Sequence, residues 1–242
     1  MSHPQRTALA ARQPNQMLRL CAFCAFALLF VGAQREEAYT PARLRDGKVP
    51  TIPVAAVGGG EVRVELDVSD DGRVTRATPL RTTPPFTDFV TAAVRDWKFF
   101  PAREVVNGDA ARAGGSIARA AVQSTVLVVA LFRPPTMNTP TLGETPKDLA
   151  SGSDTSPFPT ATTMPPYPPT AFGGGVVLLE VHVSAIGSVE DVGVIASAPP
   201  FDEPARDTVR KWHFRPAKVQ GVPVKALVYV IAGFRAPVTS VR

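Results

Sequence analysis

The chain repeats itself. Displaced by 115 positions, residues 167–217 fall on residues 52–102 without a gap, and 20 of the 51 aligned pairs are identical. Gly173, Gly174 and Gly175 fall on Gly58, Gly59 and Gly60, and Gly187 falls on Gly72. Pro199, Pro200 and Phe201 fall on Pro84, Pro85 and Phe86. Trp212, Phe214, Pro216 and Ala217 fall on Trp97, Phe99, Pro101 and Ala102, which pairs the only two tryptophans in the chain. A repeat of this size is one supersecondary unit used twice. Any fold for this chain must therefore accommodate two copies of one plan.

The plan can be read from periodicity. Val62, Val64, Leu66 and Val68 alternate with Glu61, Arg63, Glu65 and Asp67. Period two predicts a strand with one buried and one wet face. Asp70-Asp71-Gly72 is a turn signal, and residues 73–80 read as the returning strand of a hairpin. After Pro84-Pro85 the period becomes helical, with Phe86, Phe89, Val90, Ala93, Val94 and Trp97 on one stripe. Pro101 ends the helix, residues 107–116 form a polar Gly- and Ala-rich insertion, and the β-prone run 124–132 closes the unit. The second copy predicts strands at 176–183 and 188–195. It also predicts a helix capped by Asp202 with Pro204 in its first turn, and a last strand at 224–234. The expected fold is α+β: two tandem β-β-α-β units, each a small antiparallel sheet with one helix on one face.

The regions between the copies differ in composition. Residues 1–33 carry Arg6, Arg12 and Arg19, no acid, and twelve successive apolar residues from Leu20 to Val31. Small residues Val31-Gly32-Ala33 follow. This is the order of a secretory signal peptide. The apolar run covers about 18 Å as a helix against a hydrocarbon core of roughly 30 Å, so cleavage is expected over a retained inner-membrane anchor. Residues 34–50 read as a flexible leader, 51–133 as the first domain, 134–163 as a Pro/Thr/Ser-rich linker and 164–236 as the second domain. The formal charge is +5, but without residues 1–33 the chain keeps 23 basic and 21 acidic residues, a net +2. Nucleic acid is therefore not an expected partner. Both cysteines, Cys21 and Cys24, leave with the leader, which excludes disulfides and thiol chemistry from the mature chain.

No catalytic constellation is present. The glycine triplets precede strands and lack the Gly-Lys-Ser/Thr of a phosphate loop. His182 and His213 have no acid or histidine at ligand spacing, so no metal is expected. Asp70-Asp71 reads as a solvated turn, Trp212 and Phe214 as core. No cofactor, no small-molecule substrate and no enzymatic activity are expected.

The second copy resembles the C-terminal domain family of TonB. The resemblance rests on Tyr167-Pro168, Ala171, Gly175, the alternating strand to Val183, Gly187, Val189, Ser197, Trp212, Phe214, Pro216, Ala217, Gly221, Pro223 and Val224. The first copy has Ile52-Pro53 in place of Tyr-Pro and 13 extra residues before its last strand. The resemblance implies a periplasmic domain that grips an extended segment of a TonB-dependent outer-membrane transporter by β-augmentation, in energy-coupled transport. A second reading is a cell-envelope adaptor that uses the same fold without energy transduction.

A strand added last to a three-stranded sheet is expected at an edge, where unpaired backbone groups need a cover. Two covers are available. The two final strands can pair with each other, or a foreign extended segment can add to one, and self-association through such edges follows the same logic. In the second copy, Lys225, Leu227, Tyr229 and Ile231 would then set selectivity. Processing gives the first test: N-terminal sequencing of the mature protein should read from Gln34, and recovery of an intact Met1 or Met17 from inner membranes would refute cleavage.

Overall fold

The structure is a computed structural model that describes residues 39–52, 58–105, 119–135 and 152–238, and these fall in one compact unit. The first strands are β1 (Tyr39–Thr40), β2 (Arg43–Asp46), β3 (Gly60–Val68), β4 (Val74–Arg81), β5 (Lys98–Phe100), β6 (Ala102–Val105), β7 (Arg119–Val122) and β8 (Ser124–Phe132). After them come β9 (Phe158–Pro159), β10 (Gly175–Val183), β11 (Val189–Ala196), β12 (Phe214–Arg215), β13 (Ala217–Val219), β14 (Val222–Val224) and β15 (Ala226–Phe234). Helix α1 (Phe86–Arg95) follows β4, and α2 (Asp202–Val209) follows β11. The protein is α+β, mostly strand. The proposed signal peptide and the 107–116 insertion lie outside the described residues.

One six-stranded sheet organises the molecule, in the order β11-β10-β15-β8-β3-β4. Its two central strands run parallel, Val228 opposite Leu127 through Gly233 opposite Phe132. Every other neighbour in this sheet is antiparallel. The expectation of two separate small sheets is thereby corrected. The final strand of each half is an inner strand, and the halves share their hydrogen bonding across the middle.

The sheet has a core on each face. On one face α1 packs Phe86, Val90 and Val94 against Val62, Val64, Val128 and Ala130. That core also takes Leu178, Leu227, Tyr229 and Ile231 from the second half. On the other face α2 packs Ala205 and Val209 against Val177, Leu179, Val228 and Val230, and Leu127, Val129 and Leu131 of the first half join them. Side chains alternate across a strand, so β8 and β15 feed both cores. Their near-continuous apolar runs suit strands buried on both sides.

This arrangement also overturns the predicted wet face of β3. Glu61 is 1 % exposed and Arg63 is 0 % exposed. Residues 152–163, expected as linker, lie over them and include β9, paired to β12. Residues 39–46, expected as a loose leader, form β1 and β2, paired to β6 and β5. Each arm thus runs beside a strand of its own half while covering the sheet of the other.

Local chemistry explains the repeated landmarks. Gly72 and Gly187 hold φ of 83° and 85°, a region costly for residues with a Cβ. A Cβ there would also lie 2.0 Å from the Phe99 carbonyl oxygen and 1.9 Å from that of Phe214. The same turns accept the Phe99 and Phe214 backbone N–H groups at 2.8 Å. Trp97 Nε1 donates to the Lys48 carbonyl at 3.0 Å and Trp212 Nε1 to Thr163 Oγ1 at 3.1 Å, tying each ring to its own arm. Two helical expectations need correction. Phe89 is 47 % exposed, because the buried stripe runs instead through Thr87, Val90, Thr91 and Val94. Asp202 does not cap α2. It is the first helical residue, and its carboxylate accepts the Ala198 backbone N–H at 2.8 Å.

Trp97 makes an edge contact with Tyr229 of the other half, ring centres 5.9 Å apart. Trp97→Ala should therefore cost roughly 3–5 kcal/mol, and calorimetry should show one cooperative transition moving to lower temperature. A variant in which the second half melts unchanged would refute the coupling.

Candidate functional site: the outer edges of the shared sheet

The four residues expected to select a bound segment do not stay together at a surface. Leu227, Tyr229 and Ile231 point into the first core, and β15 is bonded on one side to β10 and on the other to β8. Of the two covers foreseen for the final strands, the chain uses mutual pairing. Within this fold β15 offers no free edge, so it is not an open docking strand. Lys225 alone remains at the surface, where its Nζ lies 3.2 Å from Glu190 Oε2 on β11.

Around Tyr229 the buried polar atoms are satisfied by the arm. Its hydroxyl accepts the Leu44 backbone N–H at 2.7 Å and donates to Glu180 Oε2 at 3.2 Å. Burial pushes the Tyr229 phenol well above its ordinary range, so the hydroxyl stays protonated and able to donate. Arg43 Nε reaches both Glu180 oxygens at 3.2 Å, and His182 Nε2 lies 3.2 Å from Oε1. The bond to Glu180 raises the Arg43 pKa further, holding its charge.

The other face carries the matching clamp. Glu61 accepts Arg63 Nε at 2.5 Å, an Arg81 guanidinium nitrogen at 2.6 Å and Thr162 Oγ1 at 3.0 Å. Burial lowers the Arg63 pKa, with Glu61 opposing the shift. Glu65 Oε2 accepts the Ser153 N–H at 2.8 Å, Ser153 Oγ at 2.9 Å and Ser156 Oγ at 2.8 Å. Glu65 thus holds the arm, and Glu61 joins two strand arginines to the arm's Thr162, which gives both carboxylates a structural role. Among the described residues no three His, Cys, Asp or Glu side chains converge to hold a metal. The glycine triplets serve close packing: a Cβ on Gly59 or Gly174 would stand 2.5 Å from the Phe132 or Phe234 carbonyl oxygen.

What remains open is the rim of the sheet. β4 and β11 each have one neighbour in it. Each carries two bulges, at Thr75 and Leu80 in β4 and at Glu190 and Ile195 in β11, a device that twists an edge away from casual pairing. They differ in chemistry. β4 contains Pro79, Arg76 and Arg81, and Leu80 packs against the second core. β11 has no proline or cation, and Val194 and Ile195 are 36 % and 44 % exposed. The sequence missed this rim because it placed the free edge on the last strand. The adjacent apolar pair Val194-Ile195, which breaks the alternation of β11, was the available signal.

Among the described residues no helix is long and apolar enough to cross a membrane. No curated protein matches the chain. Residues 165–235, which contain β10, β11, α2 and β15, match the family of the Gram-negative bacterial TonB protein C-terminal.

Proposed function

We propose that this is a TonB-like envelope protein that takes an extended segment of an outer-membrane TonB-dependent transporter by β-augmentation, in energy-coupled transport. The observation that carries the reading is the family match over residues 165–235, a stretch whose outer strand β11 is an unpaired sheet edge. Backbone pairing would supply affinity, and side chains along the rim would supply selectivity. Lys225 keeps a place in this scheme through its bond to Glu190 on β11. Leu227, Tyr229 and Ile231 could take part only if β8 left β15. The first half is read as a second copy of the same unit, supported by the 20 identities at a constant displacement and by the same succession of strand, strand, helix and strand. The protein works in the periplasm, after cleavage at Ala33.

An adaptor role without energy transduction has its own support. The parallel pairing of β8 and β15 satisfies inside one chain the strand edge that a partner would otherwise occupy. The Pro/Thr/Ser-rich stretch also joins two halves. Calorimetric titration with the extended N-terminal segments of such transporters separates the readings. The transport reading expects saturable binding with new amide-exchange protection along an outer strand. No binding by any of these segments would leave the adaptor.

A further inference from the structure

We infer that β11, and not β4, is the docking edge, and that it favours an extended segment with two apolar residues at alternate positions flanked by a basic residue. This rests on the β-augmentation reading above and names the partner's chemistry.

The two rims are related by the repeat but are unequal. In β4, Pro79 lacks a backbone N–H, so an added strand would lose a hydrogen bond there. Arg76 places an exposed cation on that strand, Arg81 is turned to Glu61, and Leu80 is already partly covered. The equivalents of Pro79 and Leu80 on β11 are Val194 and Ile195, both exposed. Exposed apolar residues on an unpaired strand mark a surface that a partner can use.

Registry fixes which side chains meet. Val192 and Val194 oppose Val181 and Leu179, whose side chains face the second core, where α2 lies. Asp191 opposes His182 and therefore faces the opposite side, the one on which Glu180 pairs with His182 and Arg43. Glu190 is matched by Lys225, whereas no cation lies within ion-pair distance of exposed Asp191 among the described residues. A strand added outside β11 would place residues opposite 192 and 194 on the apolar side and a residue opposite 191 beside the exposed Asp191 carboxylate. Cross-strand pairs of like polarity and opposite charge are the favoured ones. The segment therefore reads basic, apolar, any, apolar if it runs parallel to β11, and the reverse if antiparallel.

The test uses the full chain and short synthetic peptides with Arg-Val-Thr-Val or Val-Thr-Val-Arg cores, each beside a Glu-for-Arg counterpart. The Arg peptides should bind more tightly by roughly threefold, and amide exchange should slow along β11 and not along β4. Asp191→Lys should reverse the charge preference with the fold intact. Successive N–H groups on a strand point to opposite sides, so one of Gly193→Pro and Val194→Pro removes an outward donor. That variant should stay folded and bind roughly tenfold more weakly. Protection on β4, or a charge preference unmoved by Asp191→Lys, would overturn the assignment to β11 while leaving augmentation itself standing. If neither these peptides nor the transporter segments bind, the augmentation reading falls with it.

Discussion

The parallel contact between β8 and β15 is the constraint on which the rest of the structure depends. Joining two copies of a hairpin-and-strand unit through parallel final strands gives the palindromic order β11-β10-β15-β8-β3-β4. Equivalent strands then present opposite faces, so α1 and α2 cover opposite sides of one sheet. Neither half could close alone in this form. With its partner removed, β8 would expose Leu127, Val129 and Leu131, and β15 would expose Leu227, Tyr229 and Ile231. At about 1.5–3 kcal/mol per fully buried apolar side chain, three such residues on each half amount to roughly 5–9 kcal/mol, comparable with the whole margin by which small domains are stable.

Two faces need two lids, and the sheet has only one helix for each. The uncovered half of each face is closed by an arm. Because apolar segments are scarce in the arms, polar clamps fix them. Glu180 and Tyr229 hold residues 43 and 44, while Glu61, Arg63 and Glu65 hold residues 153–162. In the fully buried Glu61–Arg63 pair, removing one partner should cost about 3–5 kcal/mol, because the other charge is left without compensation. Such clamps favour one placement of the arm over many of similar apolar content. Glu65 and Glu180 are equivalent by the repeat, so the same carboxylate does this on both faces.

Much of the local structure was legible in the sequence. The hairpins, both turn glycines and both helices follow from period two, period 3.6 and the positions of Gly72, Gly187 and the Pro-Pro pairs. The pairing of the two final strands was one of two covers the sequence left open, and a mark that favours it was present: residues 124–132 and 226–234 lack the alternation of a strand with one wet face. The burial of Glu61 and Arg63 left no local mark. An alternating Glu-Arg-Glu row reads as solvated until a segment about 90–100 residues away is known to cover it. The candidate edge was missed for the same reason: which strand is outermost depends on pairing between the halves.

The shared sheet also explains why its rims take the form they do. A six-stranded sheet with both faces buried has only two places where backbone groups meet solvent in rows, and long flat edges invite aggregation. Both rims carry paired bulges at equivalent positions, which shorten the regular stretch. On β4 a proline, the exposed Arg76 and a packed Leu80 complete the protection. On β11 those additions are absent, so the two rims differ in chemistry. The two halves have thus kept their bulges while their rims diverge in chemistry, and on the proposed reading one half closes the sheet while the other can still extend it.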